Sequence, residues 1–261
     1  MREQPSVRIV DKTLRILRLF GESQSEWGLA ALAREADIPK TTVYRILRVL
    51  QQHDFLGQDP DSRRFRLGLG ALELGRRAYE ALELSRVARP VMDRIAASSD
   101  ESVLLQVVDA DRQRVVCIER VQQRSGLQLI LEVGATAPLH AGCSSKALLA
   151  FLPQEEVETV IRRGLPAVTP HTITNADKLR SELAEIRRTG YAVSFEETDM
   201  GVAGISVPVR DYTDRVVASL SISGPLARIN QANMDRYVDL ARQGADQIGA
   251  LLGHRRNTRL D

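Results

Sequence analysis

Polar and basic side chains that could contact DNA follow helical spacing in one short segment. Thr41, Tyr44, Arg45 and Arg48 lie at i, i+3, i+4 and i+7 within KTTVYRILRVLQQH (40–53), about 160° from an apolar stripe. Arginine can pair with guanine O6 and N7 in the major groove, and hydroxyls can reach phosphates or base edges. The pattern predicts a recognition helix, although a basic helix face by itself is more often only solvated surface.

The elements expected around this segment complete a winged helix-turn-helix. Apolar residues at helical spacing predict a first helix over 7–20, and an alanine-rich run predicts a second over 29–36. Pro39 separates this second helix from the helix at 40–53, because proline has no N–H and restricts the backbone conformation of the residue before it. Two short strands, 55–57 and 63–67, are expected around an Asp-Pro-Asp-Ser turn, as a wing that brings arginines to the DNA backbone.

The distribution of charge supports this interpretation. The chain has 261 residues and a formal net charge of only +2. The first 84 residues hold 14 basic and 12 acidic side chains, whereas the remainder holds 22 of each. The basic excess therefore belongs to the first third, where we expect the DNA contacts from Lys40, Thr41, Thr42, Tyr44, Arg45, Arg48, Arg63 and Arg64.

Two later segments have the chemistry of a small-molecule site. Ser219, Ser221 and Ser223 alternate with apolar residues in a predicted strand, and such hydroxyls could orient a polar ligand. A row of serines is also typical of a strand that faces solvent. The loop PLHAGCSSKA (138–147) leads into a helix start, whose N–H groups could hold a carboxylate, although ordinary helix capping explains it too.

Periodicity predicts an antiparallel sheet covered by helices for the second domain. The expected strands are 103–109, 114–121, 127–133, 205–209 and 215–223, and the expected helices are 87–99, 145–152, 155–164, 178–190 and 231–254. We therefore predict a DNA-binding domain at 1–67, a linker helix at 68–85 and an effector-binding domain at 86–261.

An enzyme is the main alternative. His140 and Cys143 could form a cysteine-dependent hydrolase or, alternatively, a small-molecule binding module. The hydrolase would need a lowered thiol pKa and a third, orienting group. The glycines of GLGALELG (68–75) do not match a nucleotide-binding loop, and no metal motif is evident. The longest uncharged stretches have 13 residues, well below the ~20 of a membrane span. We expect a cytoplasmic protein that is not an enzyme and has no cofactor, metal site or membrane partner.

The segment LAALAREADIPKTTVYRILRVLQQHDFLGQDPDSRRFRLG (29–68) resembles the winged helix-turn-helix of the IclR family of bacterial transcriptional regulators. Three later blocks resemble the effector domain of that family, which is related to the GAF fold: PLHAGCSSKALLAFLP, TPHTITNADKLRSELAEIRRTGYAVSFEE and GVAGISVPVRDYTDRVVASLSISGPLAR. Tyr44 stands where the family often has histidine, and Phe65 where it often has tyrosine. The resemblance implies an α+β protein: an N-terminal winged helix-turn-helix joined by a linker helix to a GAF-like α/β effector-binding domain.

The same resemblance implies a ligand pocket for a small organic acid. Matched by motif, its residues are Leu129, Cys143, Ser144, Ser194, Val202, Gly204, Ser221 and Ser223. Ser194 replaces a frequent acidic residue and Gly204 a frequent cysteine, from which we expect a roomier, less acidic pocket for an aromatic or larger acid. The expected partners are double-stranded operator DNA, the acid, and further copies of this chain in a homodimer or a dimer of dimers.

Overall fold

The protein, described by a computed structural model, consists of two compact units, Met1–Ala81 and Leu82–Asp261. The structure describes residues 5–21, 24–80, 83–122 and 132–254. The division between the units falls within the segment expected to be the linker. In the described part of the chain, no helix is long and apolar enough to cross a membrane.

The part of the first unit that the structure describes has three helices, a two-stranded wing and a fourth helix. In chain order these are α1 (Pro5–Leu17), α2 (Leu29–Glu35), α3 (Lys40–Gln52), β1 (Leu56–Gln58), β2 (Phe65–Leu67) and α4 (Leu69–Glu80). Strands β1 and β2 are antiparallel, and Trp27 adds a bridge to Phe65 on the other side of β2. The core contains the stripe of α3 predicted from its spacing: Val43, Ile46, Leu47 and Leu50.

Helix α1 differs from the expectation. Val10, Leu14 and Phe20 follow helical spacing in the sequence, which predicts one apolar face. Among residues 8–20, however, the buried side chains are those of Ile16 and Phe20, near the C-terminal end. Val10 and Leu14 are 56% and 54% exposed. Helical periodicity identifies an apolar face but does not show how much of it the rest of the unit covers.

Glycines follow the wing because its last strand returns close to the backbone after α3. A Cβ at Gly68 would lie 2.2 Å from the carbonyl oxygen of Asp54, and one at Gly70 would lie 2.7 Å from that of His53. The two glycine N–H groups donate to Phe55 and Asp54. These glycines therefore allow a close packing of backbone on backbone, which accounts for the pattern without a nucleotide.

Within the described residues, the second unit has a six-stranded antiparallel sheet with helices on both faces. Its elements are α5 (Glu83–Ser99), β3 (Ser102–Val108), β4 (Arg114–Val121), β5 (Thr136–Pro138), α6 (Cys143–Leu149), α7 (Gln154–Arg162), α8 (Ala176–Thr189), β6 (Ala192–Phe195), β7 (Val202–Arg210), β8 (Val216–Pro225) and α9 (Met234–Leu251). The strand order is β5-β4-β3-β8-β7-β6. One hydrophobic core contains residues of α5 and α9, and a second contains residues of α6, α7 and α8.

Most predicted elements of this unit are present, with shifted ends. The helix expected from residue 87 starts at Glu83, and the last helix spans Met234–Leu251 instead of 231–254. Strands β5 and β6 were not predicted, because segments of three and four residues are too short to show alternation and are defined by pairing with β4 and β7. Of the predicted strand 127–133, residues 127–131 lie outside the described residues.

Candidate DNA-binding surface and effector pocket

The outer side of α3 presents the side chains predicted to contact DNA. Five of them are exposed: Lys40, Thr41, Tyr44, Arg45 and Arg48. Thr42, the remaining helix residue of the predicted set, is half-buried at the side of the helix. The carbonyl oxygen of Pro39 accepts the N–H groups of Thr42 and Val43, in the first turn of the helix. The helix thus buries one apolar stripe and leaves donors of the kind that pair with guanine and phosphate on the opposite side.

The wing is organised by the Asp59 carboxylate. Its Oδ1 atom accepts the Ser62 N–H at 2.7 Å, the Ser62 hydroxyl at 2.8 Å and the Asp61 N–H at 3.2 Å. The hydrogen bonds from Ser62 lower the pKa of Asp59, so the turn is held by an ionised acceptor. Arg63 and Arg64, which were predicted to contact phosphates, are exposed beside this turn.

In the second unit, a small cavity lies between the start of α6 and the sheet. Its volume is about 100 Å³. Six residues of the predicted ligand set line it: Cys143, Ser144, Ser194, Val202, Gly204 and Ser223. Ser221 is not part of the lining, and Leu129 lies outside the described residues. Residues that were not predicted line the same cavity as well, among them Leu104, Gln106, Thr198 and Asp199.

The serine row of β8 is buried beneath α6. Ser219 and Ser221 are completely buried and Ser223 is 7% exposed, so the alternative of a solvent-facing strand is wrong. A chain of hydroxyls joins Ser144 to Ser221 at 2.5 Å and Ser221 to Ser206 at 2.9 Å. Ser221 therefore supports the cavity wall by holding Ser144. Within the described residues, the Ser219 hydroxyl has no hydrogen-bond partner.

Two other residues of the cavity lining approach Gly204 closely. A Cβ at this position would lie 2.7 Å from the Ser223 hydroxyl oxygen and 2.9 Å from the sulfur of Cys143. The space beside the glycine is therefore already filled by two other lining residues. Whether the pocket is roomier than in relatives stays a prediction.

A buried ion pair lies behind the cavity. The ammonium of Lys146 contacts Glu197 at 2.5 Å, Glu182 at 2.9 Å and the carbonyl oxygen of Val193 at 2.9 Å. The other carboxylate oxygen of Glu197 accepts the N–H of Gly142 at 3.1 Å. Burial lowers the pKa of Lys146, but the facing Glu197 and Glu182 carboxylates outweigh it, so the net shift is upward and the lysine stays charged.

The chemistry of Cys143 is unlike that of a nucleophile. Burial raises the pKa of its thiol to about 11, although nearby Lys146 acts in the opposite direction. A reactive cysteine needs a lowered pKa. The Nε2 atom of His140 donates to the carbonyl oxygen of Pro166 at 2.9 Å. Within the described residues, no group of three or more His, Cys, Asp or Glu side chains could hold a metal.

These features define a class: a winged helix-turn-helix protein with a second, α+β unit. The chain matches the helix-turn-helix model of IclR proteins over residues 9–60 and that of the C-terminal domain of bacterial IclR regulators over 76–250. The protein therefore belongs to the IclR family and is a DNA-binding transcriptional regulator. This confirms the predicted family and fold class.

Individual relatives agree with this assignment over nearly the full chain. The chain is 30% identical to the HTH-type transcriptional regulator KipR of Bacillus subtilis, over 95% of this chain and 98% of the relative. An IclR transcriptional regulator from Alicyclobacillus acidocaldarius is similar in structure, with a TM-score of 0.80 and 28% identity, over 95% and 99% of the two chains. An IclR homologue from Microbacterium hydrocarbonoxydans, solved with 4-hydroxybenzoate, has a TM-score of 0.79 and 28% identity, over 94% and 99%. The named relative is a regulator, in agreement with the expectation that this chain is not an enzyme.

Removing the buried cation should destabilise the second unit strongly. Lys146→Met leaves Glu197 buried without its counter-charge and should lower the free energy of unfolding by about 3–5 kcal/mol, whereas Lys178→Met, on the exposed side of α8, should change it by less than about 0.5 kcal/mol. Urea unfolding followed by circular dichroism measures both. The double variant Lys146→Met/Glu197→Gln should recover part of the loss. Equal stability of Lys146→Met and Lys178→Met would contradict this account of the ion pair.

Both cysteines should resist thiol reagents in the folded protein. Cys117 and Cys143 are buried, and burial raises the pKa of each thiol from 9.0 to about 11, so the thiolate fraction at neutral pH falls about a hundredfold. Labelling with a chromogenic disulfide should be slow until urea unfolds the chain. The variant Ser25→Cys, at an exposed position, should react at once and serves as the control. Equally rapid labelling of Cys143 in the native protein would revive the hydrolase alternative.

Proposed function

We propose that this regulator binds a small organic acid in the cavity of its second unit and that the bound acid controls affinity for operator DNA. The observation that carries the proposal is the cavity itself, because it is enclosed by buried hydroxyl groups that ordinary packing would replace with apolar side chains. Ser144, Ser194 and Ser223 offer both donors and acceptors to a ligand. Asp199, the carboxylate in the lining, is exposed to solvent.

The size of the cavity narrows the choice of acid. A volume of about 100 Å³ corresponds to roughly three water molecules, and typical ligand pockets have roughly 300–1,000 Å³. As it stands, the cavity suits an acid of a few carbons. The Microbacterium homologue was solved with 4-hydroxybenzoate, and an aromatic acid of that size would require lining side chains such as Cys143 to move.

The DNA-binding role is proposed for the predicted residues of the first unit. We place the Lys40–Gln52 helix in the major groove, with Thr41, Arg45 and Arg48 towards base edges and Arg63 and Arg64 on the backbone phosphates. One short helix reads few base pairs, so a homodimer on two half-sites, or a dimer of dimers, is proposed as the binding form. The exposed apolar side chains of α1, Ile9, Val10 and Leu14, support association with a second copy.

The proposed base and phosphate contacts respond differently to substitution. Arg45→Ala should cost about 1–3 kcal/mol on the preferred sequence and relax specificity, whereas Arg64→Ala should weaken binding evenly across sequences and reduce its salt dependence. Duplexes selected by the wild-type protein from a random pool, titrated by fluorescence anisotropy at several salt concentrations, measure both effects. The control is Arg188→Ala, an exposed arginine of the second unit. Unchanged binding by both variants would refute the proposed docking.

A larger side chain in the cavity should remove the response to the acid. Ser223→Val fills space in the cavity and should abolish the rise in melting temperature that a bound acid produces, while DNA binding without acid is unchanged. The control Ser219→Ala removes a buried hydroxyl outside the cavity lining and should retain the response. A thermal-shift screen that includes pyruvate and 4-hydroxybenzoate provides the measurement. If Ser223→Val responds like the wild type, the acid binds elsewhere.

A further inference from the structure

A second, more open cleft lies in the second unit, apart from the effector cavity. It has a volume of about 920 Å³, and none of its lining residues lines the cavity beneath α6. The walls come from the ends of α6 and α8, the turn between β7 and β8, and the last turns of α9. This volume is within the range of small-molecule sites. We propose that the cleft binds a small dianion, a dicarboxylate or a phosphate ester.

Three guanidinium groups from separate elements line the cleft. Arg187 belongs to α8, Arg210 ends β7, and Arg242 belongs to α9. Each donates one hydrogen bond to a backbone carbonyl: Arg187 to Ala150 at 3.0 Å, Arg210 to Asp214 at 2.6 Å and Arg242 to Thr189 at 2.8 Å. A guanidinium has five N–H donors, so these bonds hold the groups in place and use only part of their capacity.

Two of these guanidinium groups also lie over aromatic rings. The guanidinium of Arg210 lies 5.0 Å from the centre of the Phe151 ring, and that of Arg242 lies 5.1 Å from the centre of the Tyr191 ring. Arginine stacked in this way loses little further freedom when it binds an oxyanion. Carboxylates and phosphates accept two parallel N–H groups from arginine, which makes them the matching ligands for this cleft.

The carboxylates of the cleft offset only part of its positive charge. Asp214 and Asp246 line it, against three arginines. The Asp214 carboxylate lies 3.5 Å from Arg210 and 3.8 Å from His254, but its side chain is 76% exposed, so solvent screens these contacts. Phe151 and Pro208 supply apolar surface against which the carbon part of a ligand could lie. These features together favour a doubly charged organic anion over a neutral ligand.

Isothermal titration of the full-length protein with inorganic phosphate and, separately, succinate tests the proposal. We expect saturable binding of at least one probe, and its identity distinguishes a phosphate from a dicarboxylate site. Arg187→Gln and Arg210→Gln should each weaken it about tenfold or more. The matched control is Arg188→Gln, since Arg188 is adjacent in sequence, 72% exposed, bonded to Glu185 and absent from the cleft lining. That variant should bind as the wild type does.

Four results would overturn the proposal. They are the absence of saturable binding by either probe, an equal loss in Arg188→Gln, undiminished binding in both cleft variants, and loss of binding in Ser223→Val. The third would mean that Arg187 and Arg210 serve only to bond the carbonyls of Ala150 and Asp214. The fourth would mean that the probes occupy the effector cavity. Arg187 is exposed and donates a hydrogen bond of 3.0 Å to the carbonyl oxygen of Ala150, so Arg187→Gln should fold even if Arg210→Gln does not.

Discussion

The Lys146 ammonium group is buried among two carboxylates and a carbonyl, and the second unit depends on these contacts. A charge this deep in the protein is tolerated only when its partners surround it, and here they come from α8, from β6 and from the segment after β6. Glu197 in turn accepts the N–H of Gly142, at the start of α6. One buried cation thus joins segments around the cavity, and moving the segment that carries Glu197 would separate the two buried charges.

The two faces of the sheet carry different side chains and therefore contribute differently to the second unit. On β8, Ala218, Leu220 and Ile222 belong to the large apolar core with α5 and α9. The serines between them face the short helix α6, where small hydroxyl side chains permit close approach and also leave space. Apolar packing on one face therefore stabilises the unit, whereas the hydroxyls on the other provide the ligand chemistry proposed for the cavity.

The sequence by itself was sufficient to predict the first unit and the class of protein. Helical spacing predicted the buried stripe and the exposed polar side of α3, and the Asp-Pro-Asp-Ser turn predicted the wing, because these features depend on residues close together in the chain. Six of the eight predicted ligand residues line one cavity. That result came from resemblance to a family, since spacing alone left helix capping and a solvent-facing strand as alternatives.

Only the tertiary structure decided which of these residues meet and what surrounds them. The role of Lys146 depends on Glu182 and Glu197, 36 and 51 residues away, and no local pattern indicates such a pairing. Gln106 reaches the cavity because β3 pairs with β8. A side chain at position 204 would have little room, because Cys143 and Ser223 approach Gly204 from α6 and β8. Short-range periodicity determines the faces of helices and strands, whereas burial and charge pairing follow from long-range packing, which the sequence determines only through the complete fold.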